Sequence, residues 1–292
     1  MAIATPVRSG TLEAAPRPGN TRVTGKEQFY TPPETAHHIF DTLELLVPDL
    51  KKRALLEPAG GTGTIINAAR AHGMRKVLSY DIEPHHRDVV LGSFFDQSFA
   101  RTDLLTVSNP PFGRNNSLSI PFFNHAAQFS SHIVFIVPRS WRKWSVQNKL
   151  DRNFHLIRDE DLAINYVDVN GEDAYAKDRL RTCIQYWERR DTQRPLHAVR
   201  DMGIITKVQP READISLTVF GYGCGTVRKD FARVKNTTQM YLKLNHPKAF
   251  EAISNVDLSR FYMNTAYTEA LSLPEINYAL NEYIFGDPMS LA

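Results

Sequence analysis

The order of apolar runs predicts an α/β fold: a doubly wound sheet with ligand sites at the carboxyl ends of its strands. Three observations carry this. Residues 54–66 read as strand, glycine-rich turn and helix. Residues 76–84 read as a second strand ending in an acidic residue. Residues 132–138 form a near-continuous apolar run, the kind that a parallel sheet buries on both faces. With 292 residues, 42% of them apolar, the chain can bury one large core, or one core and a small satellite. The expected organisation is an arm over 1–24, a main α/β domain over 25–192 and a small α+β region over 193–292.

Charge and cysteine content narrow the classes. A net charge of +3 permits a nucleic-acid partner without demanding one. Cys183 and Cys224 are the only cysteines, in no CxxC and no His–Cys cluster, so neither a disulfide framework nor a metal site is expected. A reducing, cytoplasmic setting follows as the default. No apolar run approaches ~18 residues, so no membrane span is expected. The first residues lack the apolar core of a secretion signal.

Taken in order, residues 1–24 are rich in Pro, Gly, Thr, Ala and Arg and read as a flexible arm. Its Arg8, Arg17 and Arg22 fit a solvated tail better than a phosphate contact. Ile39, Leu43, Leu46 and Val47 recur at helical spacing and predict a helix over 36–50. Thr31 can cap it, with Pro32 and Pro33 in the first turn and Glu34 completing a capping box. Phe29 and Tyr30 can then wall a charged ligand at that end. Gly60, Gly61 and Gly63 follow the first strand and let backbone approach a ligand closely. They match neither the dinucleotide pattern nor a P-loop. Asp81 lies about 20 residues further on, where an acidic side chain suits the two hydroxyls of a ribose.

Further strands are expected over 89–95, 104–108, 132–138, 162–169 and 181–187, with helices over 121–129 and 140–150. The last of these carries Arg139, Trp141, Arg142, Lys143 and Trp144. It reads equally as a face for a nucleic-acid strand or as a solvated basic face over core tryptophans. Charges and a proline at 191–195 mark a linker. Beyond it, strands over 214–220 and 241–244 flank a glycine-rich turn at 221–225, and helices follow over 247–255 and 274–285. Arg228, Lys229, Arg233 and Lys235 form a second basic patch, favoured slightly as a nucleic-acid contact over a solvated hairpin.

The stretch that orders the rest is Asn109-Pro110-Pro111-Phe112, where an apolar strand stops. Two consecutive prolines remove two backbone donors and force the chain out of the sheet. This holds an acceptor pair rigidly against a flat, amine-bearing ring.

With Glu57-Pro58-Ala59-Gly60-Gly61-Thr62-Gly63, Asp81 and Asn109-Pro110-Pro111-Phe112 in this order, residues 26–190 resemble the S-adenosylmethionine-dependent amino-methyltransferases. The likeness is greatest to the N6-adenine enzymes acting on nucleic acid. Ile184-Gln185-Tyr186-Trp187-Glu188-Arg189 looks like the solitary adenine methyltransferases of phages and prophages. The resemblance implies a Rossmann-like class I methyltransferase sheet of seven strands, with S-adenosyl-L-methionine as cofactor. It places Tyr30, Thr31 and Pro32 with Glu57, Gly60, Gly61 and Gly63 at the cofactor's methionine end. Asp81 would hold the ribose, and Ile82 would pack on the adenine. Family members carry an acidic residue and then an aromatic one before the catalytic strand. Here Ser93 and Phe94 stand there: Phe94 can stack, Ser93 is a weaker partner for the adenine amine, and Asp96 is the alternative.

Asn109 and the Pro110 carbonyl would accept the hydrogens of the target amine. Phe112 and Tyr175 would sandwich the target base, and Arg139, Arg142 and Lys143 would contact the nucleic acid. Neither cysteine sits in a Pro-Cys context, which argues against cytosine C5 chemistry; both read as buried small hydrophobes. The expectation is therefore a DNA N6-adenine methyltransferase, with a short or relaxed target given its small C-terminal region. RNA adenine methylation is the nearest alternative, because the same four-residue turn occurs in RNA enzymes. Protein-glutamine methylation and an inactive nucleic-acid-binding subunit are further ones.

Overall fold

The computed structural model describes residues 29–163, 166 and 180–291. The arm with Arg8, Arg17 and Arg22, the connection 170–175 and Tyr175 itself lie outside the described residues. The chain opens with helix α1 (Pro33–Leu46) and continues through β1 (Ala54–Glu57), α2 (Thr64–Ala71), β2 (Lys76–Asp81), β3 (Val90–Leu91) and β4 (Leu104–Ser108). Next come α3 (Ser119–Ala126), β5 (Ser130–Pro138), the single turn α4 (Trp144–Gln147), β6 (Phe154–Leu162) and β7 (Thr182–Arg189). Their seven strands form one sheet in the order β3-β2-β1-β4-β5-β7-β6. Strands β1 to β5 run parallel, and β7 lies antiparallel between β5 and β6. This is the seven-stranded, Rossmann-like sheet that the sequence leads one to expect.

Burial on both faces explains the unbroken apolar runs. Leu55, Leu105, Val107, Val134, Ile136 and Ile184 face Ile39, Phe40 and Leu43 of α1 and Ile65, Ala68 and Ala69 of α2. Their sequence neighbours Ala54, Leu56, Ile133, Phe135, Val137 and Cys183 face Phe122, Phe123 and Ala126 of α3, with Trp141. Successive residues point to opposite faces, and each face has a helical cover. Strand β6 differs: at the sheet edge, its HLIRDED stretch alternates in burial. Its acidic residues disguise the period, so the sequence does not announce this strand; most of the strand expected over 162–169 lies outside the described residues.

Other expectations shift for local reasons. Helix α1 starts at Pro33, with Pro32 at the N-cap and no side-chain cap, so Thr31 and Glu34 form no capping box. Pro33 itself removes one of the donors that a cap would satisfy. A capping box does occur at Ser272 and Glu275. The strand expected over 89–95 shrinks to Val90–Leu91 and a 3-10 turn, Phe94–Asp96. The helix expected over 140–150 splits into a 3-10 turn, Arg139–Arg142, and α4. The 191–195 stretch is no loose linker. Arg194 is buried, donates to the Phe154 and Leu150 carbonyls, and lies over Trp187.

Beyond it come β8 (Ala198–Val199), β9 (Ile205–Lys207), β10 (Ile215–Thr218), β11 (Val227–Arg228) and β12 (Gln239–Leu244). Helices α5 (Ala249–Asn255), α6 (Ser259–Tyr262) and α7 (Leu273–Phe285) follow, then β13 (Ser290–Leu291). Strands β9 to β12 form an antiparallel sheet ordered β11-β10-β12-β9, and β8 pairs with β13. Residues such as Ile215, Leu217 and Leu242 share a separate core with Ile253 and Ile276. No described helix is long and apolar enough to cross a membrane.

Candidate functional site

The sheet order reverses beside β1: the chain moves outward through β2 and β3, then returns to β4 on the other side of β1. In open α/β sheets the loops at the carboxyl ends diverge at such a point, and ligands bind in the crevice between them. Glu57 ends β1, Asp81 ends β2 and Asn109 follows β4, so the three expected site segments meet on this edge. Hydrogen bonds tie them together. Asp81 accepts the Gly61 N–H at 2.8 Å through Oδ2 and the Glu83 N–H at 2.8 Å through Oδ1. Glu57 Oε1 accepts the Ser108 hydroxyl at 2.6 Å and the Ala59 N–H at 3.1 Å.

The glycine turn has no room for side chains. A Cβ on Gly60 would lie 2.2 Å from Ser79 Oγ, and one on Gly63 would lie 2.4 Å from the His86 ring. Gly63 also has φ +75°, in the left-handed region. The Tyr30 ring closes over Gly61, 2.8 Å from where a Cβ would stand. Thr31 and Pro32 are buried behind it. Ile82, 78% exposed, stands on the rim beside Asp81. Phe94 does not reach the crevice. It is 2% exposed, packed edge-on to His125 at 4.7 Å and against Phe122, so its expected stacking on an adenine is corrected to a core role. The neighbouring Phe95 is the exposed ring. Ser93 caps its own 3-10 turn by accepting the Phe95 N–H.

Asn109 is held from an unexpected direction. Its Nδ2 donates to the Phe29 carbonyl at 2.6 Å, which fixes which end of the amide carries the hydrogens. Its Oδ1 is buried and has no partner among the described residues. The Phe29 ring stacks on Phe112 at 6.3 Å with 21° between planes, and tilts against buried Tyr166 at 5.7 Å. Phe112 is therefore buried, and Phe29 covers the face that was expected to receive a target base. Pro110 is buried with it. The Phe29–Tyr30 pair thus straps the Asn109 turn to the glycine turn. A backbone carbonyl acting as the orienting group leaves no mark in a sequence. Ser108 did leave one, as a polar residue closing an apolar strand.

Glu57 is only 1% exposed, and its Oε2 has no described partner. Burial holds its carboxyl well above the usual range; the Ser108 and Ala59 hydrogen bonds oppose this, and the Asp81 charge adds to it. The folded state therefore binds the proton more tightly than the unfolded state. That contribution is fully present below the ordinary value of 4.5 and is lost as pH rises through the elevated folded value. Glu57→Gln keeps the acceptor for Ser108 and removes the ionisation. It is expected to flatten the fall in urea-unfolding stability above the ordinary carboxylate range, and to exceed wild type at alkaline pH. An identical slope in both proteins would contradict a proton held by burial.

The three cations expected on nucleic acid have internal partners. Arg139 pairs with Asp161 at 2.9 Å, and Arg142 pairs with Asp159 and Asp161 of β6. Lys143 bridges to Glu275 of α7 at 2.8 Å and donates to the Ala270 carbonyl at 3.2 Å. Trp141 is fully buried, and Trp144 packs on Phe261 and Tyr278. The stretch is a structural joint because β6, missed in the sequence, supplies the carboxylates. Both cysteines are buried, and burial raises their thiols, that of Cys224 to about 11, so neither offers a thiolate.

Among known proteins, no family model and no curated protein matches this chain. Similar solved structures include a candidate RNA methyltransferase from Pyrococcus horikoshii, 18% identical over 58% of this chain and 91% of that one, with a TM-score of 0.47. A candidate class I S-adenosylmethionine-dependent methyltransferase from Listeria monocytogenes is 14% identical over 58% and 64%, with a TM-score of 0.43. The 23S rRNA methyltransferase ErmE is 17% identical over 56% and 71%, with a TM-score of 0.39. The fold class stands on the strand order and polarity of this chain's own sheet.

Proposed function

We propose that this chain is an S-adenosylmethionine-dependent methyltransferase acting on the exocyclic N6 amine of adenine in DNA. The observation that carries the reading is Asn109. Its amide nitrogen donates to the Phe29 carbonyl, and its Oδ1 is left as a buried, unpaired acceptor at the switch-point edge.

An aromatic amine is a poor nucleophile because its lone pair is delocalised into the ring. Asn109 Oδ1 and the Pro110 carbonyl can accept its two N–H groups and draw the nitrogen toward tetrahedral geometry. They also stabilise the positive charge that grows on it. The acceptors are rigid, since two prolines and the Phe29 bond fix them before any substrate arrives. S-adenosylmethionine supplies, when bound, a methyl group on a positively charged sulfur.

The residues present fit that cofactor. Gly60, Gly61 and Gly63 give the close backbone approach, and Tyr30 walls the turn. Asp81 is braced by two backbone N–H groups and keeps lone pairs for ribose hydroxyls. Glu57, with its free Oε2, lies beneath, and Ile82 offers an exposed apolar side chain for the adenine. In duplex DNA the target amine is stacked inside, so the base must leave the helix and meet the Phe29–Phe112 pair.

The test uses methyl-labelled cofactor and two duplexes, one with ordinary adenines and one in which purine lacking the exocyclic amine replaces each adenine. Label is expected in the first only. Equal label in both would contradict the adenine amine as target, and a protein that does not bind the cofactor by calorimetry would contradict the whole reading.

A further inference from the structure

The most exposed large hydrophobic side chain among the described residues is Tyr222, at 103% relative exposure. It stands at the tip of the connection between β10 and β11, between Gly221 (φ +79°) and Gly223 (φ +76°). The tip is not loose. The Cys224 N–H donates to Gly221 and the Thr226 N–H to Gly223, both at 3.0 Å, and Gly225 and Thr218 exchange bonds with the opposite strand. Cys224 roots the turn in the C-terminal core. Packing gives no reason to hold an aromatic ring out in water this way.

Charge surrounds the same ribbon. Residues 221–248 contain six cations, Arg228, Lys229, Arg233, Lys235, Lys243 and Lys248, against a single carboxylate, Asp230. None of the six forms an ion pair with a described carboxylate, whereas Arg142, Lys143 and Arg181 are all paired. Lys229 lies 3.7 Å over the Phe250 ring and Arg233 lies 4.5 Å over Phe231, which places their charges without neutralising them.

The hairpin is also fixed relative to Asn109. Phe220 bridges to Ala270, and the Gly221 N–H donates to the Glu269 carbonyl at 3.0 Å. Glu269 pairs with Arg181, whose own N–H donates to the Ala266 carbonyl at 2.8 Å. Ala266 and Tyr267 pack on the core cluster that contains Phe112.

We propose that the β10–β11 hairpin, with the connection that follows it to β12, is a duplex-DNA contact, with Arg228, Lys229, Arg233 and Lys235 on the phosphates and Tyr222 entering the base stack as a wedge. The B-form major groove admits a two-stranded ribbon, whereas the deep, narrow A-form groove of RNA does not. An aromatic side chain at a base step lowers the cost of opening it. This deepens the methyl-transfer reading and rests on it for the need to extrude a base.

The test measures anisotropy of the full chain with labelled duplex DNA, and with duplex RNA of the same sequence, over a range of salt. The quadruple variant Arg228→Ala/Lys229→Ala/Arg233→Ala/Lys235→Ala is expected to lose at least about tenfold in DNA affinity and about three units of salt slope. Tyr222→Ala is expected to lose about tenfold with the slope unchanged, and Tyr222→Phe to bind as wild type, since the ring alone stacks. Unchanged thermal midpoints establish that these variants fold. Wild-type DNA affinity in the quadruple variant, equal losses on duplex RNA, or no DNA binding by wild type would each overturn the proposal. Label transfer to a short adenine-containing single strand separates the two readings. Transfer there with hairpin variants that bind duplex normally sinks the hairpin alone. Hairpin-dependent DNA binding without any transfer sinks the methylation alone.

Discussion

Asn109→Ala is expected to lower methyl transfer by about 10²–10³-fold or more while cofactor affinity stays close to wild type. The loss removes a buried, unpaired acceptor that the Phe29 bond orients at the end of β4. Asn109→Asp is a sharper probe. It keeps an oxygen where Oδ1 stands but turns a second one toward the Phe29 carbonyl, where the wild-type amide donates at 2.6 Å. Two acceptors cannot bond, so the strap loosens, and the variant is expected to be impaired by at least about tenfold. Single-turnover transfer measured beside calorimetric cofactor binding separates chemistry from binding. Substantial residual transfer in Asn109→Ala would remove Asn109 from the reaction.

Lys143→Met is expected to cost about 3–5 kcal/mol of stability, because it strands the Glu275 carboxylate in a buried setting. Glu275 already serves the N-terminus of α7, accepting from the Ser272 N–H and hydroxyl at 2.8 Å each, so it cannot simply turn to solvent. The double variant Lys143→Met/Glu275→Gln should recover much of the loss. Urea unfolding checks both, and duplex-DNA affinity measured under folding conditions should stay at the wild-type level. A stable Lys143→Met protein with weakened DNA binding would restore the nucleic-acid role that the ion pair argues against.

The contrast between these two residues shows what a sequence can carry. The Gly60–Gly63 turn, Asp81 and Asn109 were legible because each breaks a strand in a way that backbone geometry needs, and strand ends on one edge of a parallel sheet must converge. The doubly covered strands were legible because unbroken apolar runs have few other uses. What was hidden depended on partners distant in the chain. The charge on Arg142 is spent on Asp159 and Asp161, in an edge strand whose alternation was masked by its own acidic residues. Phe94 and Phe95 are identical letters, and only packing against Phe122 and His125 decides which ring is exposed. The Phe29 strap works through a carbonyl that every residue carries. Tyr222 reads in the sequence as part of a glycine-rich turn, since exposure is not carried by a motif.

Nucleoside mass spectrometry of DNA incubated with the purified protein and labelled cofactor decides the chemistry most directly. N6-methyladenine is expected as the only new nucleoside, and it should be absent when Asn109→Ala replaces the wild type. Label on the N4 amine of cytosine, on RNA alone or on a protein glutamine would contradict the assignment. So would unmodified DNA recovered from a protein that binds the cofactor.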